Sequence, residues 1–165
     1  MKNILKVLLM GAVLWIPSLH AETIVNSEVQ DGIAEETDQN LQSINIELMV
    51  VHAVDSGKEA FDPQLNALKK HFRNYNFSEI ALIDSQSGRL EDNTAKTFSI
   101  EGGRKVIVSL LSHTEQSARL KVVIRDSKDQ KILDTTLSIN RNGALIVAGP
   151  KYKGGVLFLP ISVKY

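Results

Sequence analysis

The sequence predicts a mainly β protein, an antiparallel β-sandwich of about eight strands with one short helix over residues 63–73. Apolar, β-branched runs recur at nearly regular spacing from residue 77 onward and are separated by turn residues. Across Ala118 to Asp126 the alternation is clear: Ala118, Leu120, Val122 and Ile124 face one way, and Arg119, Lys121, Val123 and Arg125 the other. That pattern belongs to a strand with one buried face and one wet face. A single stretch carries helix signals at both of its ends.

The elements follow in chain order. Lys2 and Lys6 flank a start that runs into ten largely apolar residues, 7–16, and then Pro17-Ser18-Leu19-His20-Ala21. This is the order of a secretory signal peptide cut near Ala21, and the apolar run is short of the ~20 residues a membrane span needs. Residues 22–42 are acidic and polar, with too little apolar area to offset the entropy of ordering, so they are expected as a disordered acidic arm. From Ile44 the run INIELMVVHAV reads as a strand crossing the core. Asp62 is placed to cap a helix, and Pro63 suits its first position because the amide hydrogen it lacks has no partner there. Leu65, Leu68 and Phe72 share a face of that helix, and Lys69, Lys70, His71 and Arg73 sit at its negative end.

Further strands are expected at 77–83, 94–100, 105–111, 118–125, 131–139, 144–148 and 156–163. The intervening turns read SQSG, EGG, SHTEQS, DSKD, NRNG and GPKYKGG. Asn142-Gly143 reads as a hairpin turn, since both residues tolerate positive φ. Gly149, Gly154 and Gly155 read as a wide turn between two strands, and Pro160 points to a sheet edge. Residues 43–165 thus form one β-sandwich domain behind the arm.

The formal net charge is +0, yet it is unevenly spread: residues 22–57 hold eight acids and no Lys or Arg, while 58–165 hold 17 bases against 11 acids. The chain has no cysteine, which excludes disulfides, thiolate zinc sites, a thiol nucleophile and a lipid-anchored cysteine at the signal junction. The common catalytic motifs, G-x-S-x-G, H-E-x-x-H, G-x-G-x-x-G and the P-loop, are absent. His52, His71 and His113 lie on a strand, a helix end and a loop without metal-ligand spacing, and no cofactor or metal is expected. A serine hydrolase could in principle combine Ser85 or Ser112 with His113 and Asp126, and nothing in the sequence selects that combination. The bases are spread along strands without stacking aromatics, so nucleic acid is not an expected partner.

Val51-His52-Ala53, Phe61-Asp62-Pro63-Gln64-Leu65, Tyr75, Phe77 and Gly149-Pro150-Lys151-Tyr152-Lys153-Gly154-Gly155 ahead of an apolar last strand resemble a loose family of exported bacterial β-proteins. The resemblance covers residues 44–165. It implies an all-β fold without assigned activity and supplies no site residues.

The expected function is that of a non-enzymatic envelope protein, periplasmic or secreted from a bacterium, whose sandwich docks another envelope protein. Lys151, Tyr152 and Lys153, expected to be exposed at the last turn, are the candidate partner-binding residues. The alternatives are a surface-fibre subunit assembled by strand exchange and an eight-stranded outer-membrane barrel, whose last strand is mimicked by Leu157, Leu159, Ile161, Val163 and Tyr165. Only eight aromatics remain after residue 21, few for two girdles.

Overall fold

The computed structural model describes residues 43–165. The expected signal peptide, 1–21, and acidic arm, 22–42, lie outside the described residues.

Alternating apolar side chains sort nine strands into two sheets: β1 (Ser43–Val54), β2 (Ala60–Phe61), β3 (Glu79–Glu91), β4 (Ala95–Ile100), β5 (Arg104–His113), β6 (Ser117–Arg125), β7 (Lys131–Asn140), β8 (Ala144–Tyr152) and β9 (Gly155–Lys164). One sheet has the order β2-β3-β1-β9-β8 and the other β4-β5-β6-β7. All pairings are antiparallel except the two-residue pairing of β2 with β3. The ninth strand, β2, is too short to leave a periodic signal in the sequence.

Ile44, Ile46, Leu48 and Val50 of β1 and the buried face of β9 share one core with Val106, Val108 and Leu110 of β5 and Leu120, Val122 and Ile124 of β6. The two sheets therefore pack face to face, and the strands do not close into a single ring. Each fully buried Ile, Leu or Val contributes about 1.5–3 kcal/mol relative to an exposed one. A second, smaller core forms on the other face of the five-stranded sheet, where Val51, Ala53, Ile80 and Phe158 meet Leu65 and Phe72 of the helical segment.

That segment is tighter than the expected helix. A 3₁₀ stretch, Pro63–Leu68, leads into a single α turn, α1 (Lys69–Phe72). The spacing explains the change: Leu65 to Leu68 is three residues, the 3₁₀ repeat, and Leu68 to Phe72 is four, which suits an α turn. Asp62 caps the segment by accepting the Gln64 N–H at 2.9 Å, and its second oxygen accepts the Leu82 N–H at 3.2 Å, which ties the helix to β3.

Three turn expectations are corrected. SQSG, residues 85–88, is not a turn: β3 runs through it to Glu91, with a bulge at Ile83 where Val50 pairs Asp84 but Val51 pairs Leu82. The extra residue changes the buried face, so Ile80 and Leu82 pack under the helix while Leu90 enters the sandwich core. Asn142-Gly143 does not make a hairpin, because β7 and β8 belong to different sheets. Asn142 has φ +55° and Gly143 N–H donates to Asn140 O at 2.8 Å, so the turn forms a corner between layers.

The wide turn at Gly149–Gly155 is the third correction. β8 continues through a bulge near Gly149 and Pro150 to Tyr152, leaving a two-residue connection, Lys153-Gly154. Pro160 is also misplaced by the sequence reading, for β9 lies between β1 and β8 and is not an edge. The β1–β9 register stops at Leu48↔Ile161 and resumes at Val51↔Phe158. The skipped positions include Pro160, which has no N–H to give, so the sheet accommodates the proline by a local gap in its ladder.

Candidate interaction surface at the β8–β9 turn

The last hairpin is built so that two lysines stand on a stiff support. Lys153 and Gly154 have φ +42° and +78°, the left-handed conformation that two-residue hairpin turns require. Glycine meets that demand at 154, whereas Lys153 adopts it at a conformational cost. Gly155 is needed for space: an added Cβ would run into Ala53 O and His52 Nε2.

The expectation that Lys151, Tyr152 and Lys153 are all exposed holds for the two lysines and fails for the tyrosine. Tyr152 is half-buried and packs against the sandwich core. The bulge accounts for the difference, because Tyr152 comes opposite Gly155 on the inward face while Lys151 comes opposite Val156 on the outward one.

Tyr152 locks the turn to both sheets. Its hydroxyl donates to Glu101 Oε2 at 3.1 Å, in the β4–β5 turn, and its backbone oxygen lies 3.0 Å from His52 Nε2. The His52 and Tyr152 rings meet edge to face at 5.6 Å. Arg104 adds a second tie, with Nη2 donating to Lys151 O and Nη1 to Glu101 O, each at 3.1 Å. Lys153 Nζ rests 5.1 Å from the centre of the Tyr152 ring. Hydrogen bonding with the Tyr152 side chain, then the tyrosine and Glu101 charges, raise the Lys153 pKa above its ordinary 10.5.

Beside the turn lies an open depression of about 480 Å³ lined by Phe77, Val156 and residues 151–155. Phe77 belongs to an aromatic cluster centred on Phe158, which it meets at 5.7 Å. Tyr75 stacks tilted on Phe158 at 4.5 Å and remains 36% exposed. The arrangement can hold an apolar group on Phe77 and Val156 while the lysines meet an anionic one. Glu101 and Arg104 brace it; the only sequence signal there is the EGG turn, of which Glu101 is the first residue.

The remaining candidate residues are dispersed. His113 Nδ1 lies 2.7 Å from Asp92 Oδ1, and Asp126 instead accepts the Lys128 and Gln130 N–H groups of its own turn. Ser112 pairs with Arg119 on one face of the sheet while His113 pairs with Ala118 on the other, and Ser85 donates to Glu47 on the other sheet. The serine, histidine and aspartate of the conceivable triad are not brought together. His71 borders a groove of about 360 Å³ with Met49, Leu68 and Pro160.

No family model, no curated protein and no solved structure matches this chain.

Proposed function

We propose that this protein is a non-enzymatic, exported envelope component whose β-sandwich docks another protein of a cell-envelope complex through the β8–β9 turn. The observation that carries the reading is the pair of exposed cations, Lys151 and Lys153, held by Tyr152, Glu101, His52 and Arg104 beside the partly exposed aromatics Tyr75 and Phe77. A braced turn loses little conformational entropy on binding. Its cations speed encounter with an acidic partner, and aromatic side chains are the residues that most often anchor an interface. Export enters from the charged, apolar and small-residue order of residues 1–21.

Charge reversal tests it. The Lys151→Glu, Lys153→Glu variant should fold with unchanged far-UV circular dichroism and lose the partner that the unmodified protein retains in envelope extracts. Equal recovery of that partner by the folded variant would refute this surface.

A second reading, a fibre subunit built by strand exchange, draws on β8 as an edge strand. Residues 144–148, ALIVA, carry no charge and leave Leu145 38% exposed, so the edge lacks the charges that usually deter pairing. Filaments seen by electron microscopy that vanish on Leu145→Lys substitution would support it, and their persistence would refute it.

A further inference from the structure

The outer face of the four-stranded sheet carries a charge pattern that its own stability does not explain. Lys105 lies directly opposite Arg125, and Arg125 directly opposite Lys131, so three cations form one row across β5, β6 and β7. Like charges directly opposite one another destabilise a sheet. A bulge in β7 creates the last contact: Ile124 pairs Leu133, so an unbroken register would set Ile132 against Arg125, and the bulge brings Lys131 there instead.

Arg119 and Lys121 stand on the same face of β6 and bring its strand cations to five, against one strand carboxylate, Asp134. Asp134 is engaged by Lys131 at 2.8 Å and Lys121 at 3.6 Å, and in the adjoining turn Asp129 meets Arg125 at 3.3 Å. The other side chains of this face, among them Thr97, Ile107, Val123 and Thr136, are uncharged. Two exposed apolar side chains accompany the cations, Ile132 at 46% and Leu111 at 37%, both at bulges where the register skips.

We infer that this face lies against a lipid surface bearing anionic phospholipid headgroups. Sheet geometry spaces its cations by about 4.8 Å between strands and about 6.8 Å along a strand, a two-dimensional array that meets many phosphates at once. An array of cations with interspersed aliphatic side chains is the chemistry of peripheral attachment, in which charge draws the protein to the surface and apolar groups enter the headgroup layer. The face shares no residue with the β8–β9 turn.

The test is sedimentation of the purified protein with vesicles of phosphatidylcholine alone or containing about 30% phosphatidylglycerol. Binding is expected only to the anionic vesicles, weakening with salt. Each cation removed should cost about fivefold in partitioning, so Lys105→Gln, Arg119→Gln, Lys121→Gln together should cost roughly a hundredfold. These three leave the Arg125–Asp129 and Lys131–Asp134 pairs intact, and circular dichroism confirms the fold. A control triple on the helical side, Lys58→Gln, Lys70→Gln, Arg73→Gln, should bind as the unmodified protein does. Equal binding to neutral vesicles, no binding at all, or an equal loss in the control would overturn the inference. Competition by inorganic phosphate beyond that of chloride at equal ionic strength would assign the face to free phosphate. Binding of polyglutamate without vesicle binding would assign it to an acidic protein, and either result overturns the membrane reading.

Discussion

Replacing Tyr152 separates what holds the β8–β9 turn from what the turn presents. In Tyr152→Phe the ring stays and the hydroxyl bond to Glu101 is lost, a partly exposed bond worth about 1 kcal/mol. Tyr152→Ala also removes the half-buried ring. A fully buried aromatic costs about 3–5 kcal/mol when truncated, so half burial scales this to about 2 kcal/mol. The edge-to-face contact with His52 adds about 0.5 kcal/mol, giving a total of about 3.5 kcal/mol with the hydroxyl. With a urea slope of about 2 kcal/mol per molar for a domain of this size, the midpoint should fall by about 1.8 M for alanine and about 0.5 M for phenylalanine. Urea titration followed by far-UV circular dichroism is the assay, since the described residues contain no tryptophan. Lys151→Ala should stay within about 0.5 kcal/mol of the parent. A Tyr152→Ala midpoint equal to that of Lys151→Ala would refute the brace, and the tyrosine would then belong to the exposed surface with its neighbours.

Two other perturbations follow from the packing. Tyr165 Oη is buried with no hydrogen-bond partner, so Tyr165→Phe should raise stability by about 1 kcal/mol, and a loss on thermal melting would show an unrecognised partner. Burial also raises the Tyr165 pKa above its ordinary 10.0, partly opposed by Arg141. A raised folded value means the contribution is complete below the unfolded pKa and is lost as pH rises through the folded one. Unfolding measured from pH 9 upward should therefore show an alkaline loss of stability that is reduced in Tyr165→Phe; an unchanged slope would contradict the assignment. Gly155→Ala should destabilise by more than about 2 kcal/mol, because its methyl group meets the Ala53 carbonyl and the His52 ring, and a neutral result in the same urea assay would mean the strands can part there freely.

The legible parts of the fold were those written in local chemistry. Asp62 and Pro63 announced the helical segment, and alternation in Ala118 to Asp126 announced β6 and its faces, because caps and a period of two are properties of neighbouring residues. Ser85 to Gly88 misled because serine and glycine favour turns in isolation, while here pairing with β1 keeps them extended. Asn142-Gly143 supplied the right backbone conformation for a turn but not its destination, which depends on the sheet that β8 joins. Pro160 favours an edge because it has no N–H to give, yet a gap of two pairings lets it sit inside the sheet.

The candidate surface was legible in the same uneven way. The lysines of the last turn were visible as charges between strands, but Tyr152 faced inward through a bulge that no local pattern announced. Its partner Glu101, and Arg104, which holds the Lys151 carbonyl, are about fifty residues away in sequence, and only the packing of one sheet on the other brings them to the turn. The cationic row of Lys105, Arg125 and Lys131 was equally hidden, since it exists only in the register of three strands.

Site-specific photocrosslinking in cells tests the docking claim most directly. A photoreactive residue at Lys153 and, in a separate variant, one at Glu115 in the β5–β6 turn would be compared in otherwise unmodified protein. Docking through the turn should yield one discrete crosslinked protein from position 153 that is lost when Lys151 is changed to glutamate, and none from position 115. The same crosslinked species from both positions, or none from position 153 in folded protein, would contradict docking through this turn.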